Sequence, residues 1–177
     1  HLCRTLLEGE DDEVLVVGHS SGAMLAVSVV AQALRTLPSH SPHTERLGLL
    51  TLGQCIPVLS YQPEAHGFRA DLKTLRDNAE LRWLDVTAPP DACCFALVDP
   101  TAVCLDGGRS GAHDAAGQGP KRLSARFMQM FGPERYRQLR SDKHRCHFQY
   151  LMASERPTDY DYFLITAGVH SFSERYA

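Results

Sequence analysis

The sequence predicts an α/β domain built on parallel strands, and three observations carry that expectation. Val14-Leu15-Val16-Val17, the run from Leu47 to Val58 and the run from Leu81 to Val86 are short apolar stretches rich in branched residues. Such runs are the pattern of strands inside a sheet. Between them, 23–37 is a stretch of good helix formers without a breaker, and 67–79 carries apolar residues at helical spacing. Strand, helix, strand, helix and strand joined by short links imply right-handed parallel crossovers.

Taken in order, 14–17 reads as a strand buried on both faces. It stops at Gly18-His19-Ser20-Ser21-Gly22 and gives way to Ala23-Met24-Leu25-Ala26-Val27, which continues without a breaker to Leu37. Pro38 and Ser39-His40-Ser41-Pro42-His43 end that helix. The second run is an interior strand closed by Pro57 and the turn Tyr61-Gln62-Pro63. Phe68, Leu72 and Leu75 then mark an amphipathic helix over 67–79. The third strand ends at Ala88-Pro89-Pro90-Asp91. Residues 106–120 form a Gly-rich segment expected to be a mobile surface loop. Beyond it, 123–131 and 133–140 suggest basic helical pieces, His147 to Ala153 is apolar and aromatic, and Tyr162 to Thr166 suits a last short strand. No internal repeat interrupts this order, so 1–177 reads as a single domain.

Composition narrows the function. Hydrophobic residues make up 44% and charged residues 22%, the balance of a chain with a packed core. Lys and Arg total 18 against 21 Asp and Glu, which argues against a nucleic-acid partner. The longest nearly apolar run, Ala23 to Leu34, is 12 residues, short of the roughly 20 that span a bilayer. The six cysteines, at 3, 55, 93, 94, 104 and 146, form no CxxC pair and suggest neither a zinc framework nor a disulfide scaffold. Scattered reduced thiols in a cytoplasmic protein are the expectation.

Gly18-x-Ser20-x-Gly22, set between a buried strand and a helix, has the nucleophile-elbow pattern of serine hydrolases. The turn is tight enough to force a strained backbone at the serine, and a glycine two positions to either side removes side chains that would clash. The hydroxyl is lifted clear of the sheet, and the helix start aims free N–H groups at a developing oxyanion; the Ser21 N–H is one such donor. A plain tight turn with Ser20 as a helix cap is the ordinary alternative. A dinucleotide site would need Gly-x-Gly-x-x-Gly and a downstream acid, neither of which is present.

With Gly18-His19-Ser20-Ser21-Gly22 in hand, the chain resembles the α/β-hydrolase superfamily. Asp85-Val86-Thr87-Ala88-Pro89-Pro90-Asp91 and His147-Phe148-Gln149-Tyr150-Leu151-Met152 look like the corresponding stretches of uncharacterised bacterial lipase-like members. The resemblance implies serine-dependent ester or acyl hydrolysis, with the triad in the order serine, acid, histidine. It also implies strands ahead of the elbow strand. Only 19 residues precede Ser20, so the chain reads as the C-terminal part of a larger hydrolase, with the first strands and the second oxyanion donor missing.

For the acid, Asp91 lies just past the third strand behind two prolines, with Asp85 inside that strand and Asp99 before Pro100 as alternates. For the base, His147 precedes an apolar run that could anchor it, with His170 as the alternate. His40, His43, His66, His113 and His144 fall in loops or turns, where a histidine is usually just solvated. Histidine is a common occupant of the His19 position in the superfamily the chain resembles, and the resemblance implies that it packs beside the nucleophile and does not transfer a proton. Cys146 adjoins His147, but sequence neighbours point apart. The expected reaction needs neither metal nor organic cofactor, and its partner is a small-molecule ester or acyl substrate. Acyl transfer or thioester cleavage by the same residues, and a catalytically silent module used for binding or assembly, remain open alternatives.

Overall fold

The computed structural model describes residues 1–38, 41–104 and 119–176. His40, His113 and most of the Gly-rich segment 106–120 lie outside them. In chain order the elements are α1 (Leu2–Glu8), β1 (Val14–His19), α2 (Gly22–Thr36), α3 (Pro42–Glu45), β2 (Leu47–Leu52), α4 (Ile56–Ser60), α5 (His66–Arg76) and β3 (Arg82–Thr87). Then follow β4 (Lys121–Ser124), α6 (Phe127–Met130), α7 (Pro133–Ser141), α8 (Lys143–Phe148), α9 (Tyr162–Ala167) and α10 (Phe172–Tyr176). The four strands form one sheet in the order β1-β2-β3-β4, and all three pairings are parallel. The chain is therefore an α/β protein with helices flanking a parallel sheet.

Period-2 alternation divides the core between the two faces. Leu47, Leu49 and Trp83 point to one side and pack with Ala23, Val27 and Val30 of α2 and Leu72 and Leu75 of α5. Leu50, Leu52, Leu84 and Val86 point to the other and pack with Phe127, Met130, Leu139, Tyr150 and Phe172. Every residue of β2 is buried, as its uninterrupted apolar run requires.

Several expectations need correction. Residues 14–17 are not buried on both faces: β1 is the edge strand, and Val17 is 36% exposed. The second strand stops at Leu52 because Gly53 turns the chain at φ 52, and Pro57 sits in the first turn of α4. Residues 121–124, placed partly in a basic helix, form β4 against β3. Tyr162 to Thr166 is helical, because the Asp161 carboxylate caps the N–H groups of Phe163 and Leu164. No helix among the described residues is long and apolar enough to cross a membrane.

Candidate active site

β1 runs into α2 through a turn centred on Ser20, whose φ of 57 puts a non-glycine residue in the left-handed region. That conformation costs energy and persists only where its surroundings fix it. They do so here. The Ser20 N–H donates to the Leu52 carbonyl at the end of β2, and the Ser20 carbonyl accepts from Ala23 N at the start of α2. Ser21, not Ser20, occupies the cap position of α2, and no side-chain hydroxyl is spent on capping. The Ser21 N–H has no protein acceptor among the described residues.

The two flanking glycines are not equivalent. A Cβ on Gly18 would lie 2.8 Å from the Ala23 Cα, the Ala26 Cβ and the Gly22 carbonyl, so strand end and helix start pack backbone to backbone. A Cβ on Gly22 would meet nothing within 4 Å. The expectation that both glycines relieve a clash holds at Gly18 and is wrong at Gly22, which stands on the open side of the first helical turn.

Asp91 and His147 come together from separate segments. Asp91 follows β3 behind Pro89-Pro90, and His147 sits near the end of α8, a helix capped by the Asp142 side chain on Arg145 N. His147 Nδ1 donates to Asp91 Oδ2 at 2.8 Å, with the aspartate side chain fully buried and that of the histidine 10% exposed. Tyr150 adds a hydroxyl donor to the same oxygen at 3.1 Å, and Cys93 N donates to Oδ1 at 2.9 Å. Three donors and no acceptor meet the carboxylate, the set a charged acceptor requires. Gly53, at φ 52, forms the wall behind: a Cβ there would come within 2.6 Å of Tyr150 Cε2. Burial, first of all, pushes the Tyr150 hydroxyl far above its usual range, so it acts as a fixed donor.

His19 links the two halves. Its Nε2–H donates to the His147 carbonyl at 2.8 Å, and its ring lies against those of His147, Phe148 and Tyr150. Burial, which favours the neutral ring, holds His19 below the ordinary imidazole value against the opposing effect of that hydrogen bond. The Ser20 hydroxyl faces the Cys55 thiol, whose pKa burial raises and this contact lowers. Among the described residues no hydrogen bond joins Ser20 to His147.

The alternates fall elsewhere. Asp85 is buried inside β3, accepting from Thr51 Oγ1 at 2.6 Å with Oδ2 unpartnered; burial, first, lifts it to about 7, against hydrogen bonds from Thr51 and Gln54. Asp99 binds the backbone and hydroxyl of Thr101 in a turn. His170 is exposed and faces Glu174 at 3.8 Å. His43 and His66 each engage an arginine three residues on, and His144 lies against Phe148. A groove of about 470 Å³ lined by Arg135, Arg145, Gln149 and Met152 includes none of Ser20, Asp91 and His147.

The sequence reading missed Tyr150 and Gly53 as parts of this site. The signal for Tyr150 was its place three residues after His147 in an apolar run, where a hydroxyl needs a buried partner. Asp91, Cys93 and His147 offer carboxylate, thiol and imidazole atoms within 4.8 Å of one another. The 2.8 Å between Nδ1 and Oδ2 is shorter than the roughly 3.3 Å edge of a zinc tetrahedron with 2.0–2.1 Å bonds. As it stands, the pair is a hydrogen bond and not two ligands of one ion. Comparison with protein-family models, with curated proteins and with solved structures returns no match.

Proposed function

We propose that the chain is a serine hydrolase of the α/β-hydrolase type, cleaving a carboxylic ester or related acyl bond. The observation that carries the reading is the buried Asp91–His147 hydrogen bond beside a strand-to-helix turn with Ser20 at φ 57. In this reading Ser20 Oγ attacks the acyl carbonyl while His147 Nε2 takes its proton. Asp91 holds the Nδ1–H tautomer that leaves Nε2 free to accept, and it stabilises the imidazolium that forms. The unspent Ser21 N–H meets the oxyanion. His147 then returns the proton to the leaving alcohol, and water repeats the sequence to release the acid. Free thiols at Cys3, Cys55, Cys93, Cys94 and Cys146 support a reducing, cytoplasmic setting.

One observation favours a second reading, a catalytically silent module: the Ser20 hydroxyl faces Cys55, with no hydrogen bond to His147. A fluorophosphonate probe separates the two. Hydrolase chemistry predicts a single labelled peptide containing Ser20, lost in Ser20→Ala and slowed at least a hundredfold in His147→Ala. A chain that stays unlabelled, or labels equally in Ser20→Ala, is not a serine hydrolase of this design.

A further inference from the structure

We propose that Asp91, Cys93 and His147 form a binding site for a zinc-class divalent cation, and that the bound ion switches the hydrolase site off. The second half rests on the function proposed above; the binding itself does not. The donor set is a carboxylate oxygen, a thiol and an imidazole nitrogen, all within 4.8 Å of one another. Zinc takes such mixed ligands, whereas calcium and magnesium want oxygen alone.

The three side chains are held in place before any ion arrives. Cys93 N donates to Asp91 Oδ1, which fixes the turn carrying the thiol relative to the carboxylate. Tyr150 and His147 fix the other oxygen. The neighbouring thiols are committed elsewhere: Cys94 Sγ lies against the Ala88 and Asp91 carbonyls and the Tyr150 hydroxyl, and Cys146 Sγ against the Pro90 carbonyl. Cys93 is exposed while Asp91 and His147 are buried, so an ion enters from the thiol side and keeps solvent as its fourth ligand. Accommodating it requires the Nδ1–Oδ2 separation to open from 2.8 Å to about 3.3 Å, a shift of about 0.5 Å.

The proton balance follows. The ion bonds to the Cys93 sulfur, whose proton goes to buffer, and to His147 Nδ1, whose hydrogen is replaced at Nε2 by exchange with solvent. Binding therefore releases about one proton per ion. Nε2, the nitrogen that must accept the Ser20 proton, becomes an N–H donor. Asp91 becomes a metal ligand and no longer orients the ring.

Co²⁺ titration of the reduced chain tests the site without reference to activity. The expected result is tetrahedral d–d absorption with a thiolate-to-cobalt charge-transfer band, displaced by Zn²⁺. In Cys93→Ser, a change at an exposed position, the charge-transfer band disappears and affinity falls at least about tenfold, since even outer partners of metal ligands cost that much. Zn²⁺ should also protect Ser20 from the fluorophosphonate, and Cys93→Ser should need at least tenfold more zinc for equal protection, each variant being compared with its own zinc-free rate. A cobalt spectrum without thiolate character, or one unchanged in Cys93→Ser, overturns the site even if Ser20 labels normally. Cobalt bound through Cys93 in a chain that never labels upholds the site and overturns the hydrolase reading and the switch together. Labelling at Ser20 that saturating zinc leaves untouched overturns the switch.

Discussion

Replacing Asp91 with Asn exchanges one acceptor for a donor in a buried group that meets three donors at once. With the amide oxygen toward His147 and Tyr150, the new NH₂ confronts the Cys93 N–H across a contact that is now 2.9 Å. Turned the other way, the NH₂ confronts His147 Nδ1 and the Tyr150 hydroxyl. The imidazole can adapt only by moving its hydrogen to Nε2, and Tyr150 must turn its hydroxyl toward Cys94. The second orientation avoids an unsatisfied donor only through that tautomer shift and a weaker sulfur partner, whereas the first leaves one buried donor unsatisfied, at about 1–3 kcal/mol. For a chain of 177 residues that corresponds to a fall in Tm of roughly 2–12 °C. The kinetic effect should be larger than the structural one. An imidazole that carries its hydrogen on Nε2 has no lone pair there to accept the Ser20 proton, and the same exchange in a serine protease triad costs about 10⁴ in kcat. Thermal unfolding together with fluorophosphonate labelling rates reads both quantities. A variant that labels within threefold of the parent while melting several degrees lower would refute the role given to Asp91 and leave it a purely structural carboxylate.

The two elbow glycines should part company: Gly18→Ala should destabilise by roughly 1–3 kcal/mol through its 2.8 Å backbone contacts, while Gly22→Ala should be neutral or mildly stabilising, as denaturant titration would show. Equal losses at both sites would contradict the packing of β1 on α2. Asp85 predicts an unusual pH dependence. Its folded value, about 7, lies above the unfolded value near 4, so between those limits the folded state holds a proton that the unfolded state has lost. Stability from this group is therefore greatest below about pH 4, falls by up to about 1.4 kcal/mol per pH unit, and levels off above about 7. Asp85→Asn should flatten the profile in that window, and an unchanged slope in pH-dependent unfolding would remove Asp85 as its source.

What was legible in the sequence follows from how local each signal is. The strand Val14–His19 and the helix from Gly22 announced themselves because a run of branched residues, a Gly-x-Ser-x-Gly turn and an unbroken helical stretch all agree over 23 residues. The pairing of Asp91 with His147 rested on chain order and loop position, which brought the two residues into consideration without fixing their geometry. β4 was illegible because Lys121-Arg122-Leu123-Ser124 has no alternation to read; it is a strand only because β3 offers it an edge. Tyr162 to Thr166 was misread for the opposite reason: aromatic and branched residues favour a strand, but Asp161 closes the first helical turn and prevails. Tyr150 and Gly53 meet only in three dimensions, 97 positions apart in the chain.

The edge position of β1 has a consequence for the residue before the serine. In a parallel ladder alternate residues turn both their N–H and C=O to the same neighbour. Val14 N bonds to the Arg46 carbonyl and Ser20 N to that of Leu52, so the even-numbered amides of this strand face β2. Leu15, Val17 and His19 turn theirs outward, where the sheet formed by the described residues ends. Amide hydrogen exchange should therefore split the strand residue by residue, slow at Val16 and Gly18 and fast at Leu15 and Val17, within a single stretch of regular structure. The last outward-facing amide belongs to His19. Any extended segment that zipped onto this open side would end its ladder one residue from Ser20, so the sheet's margin and the strand-to-helix turn are one continuous piece of backbone.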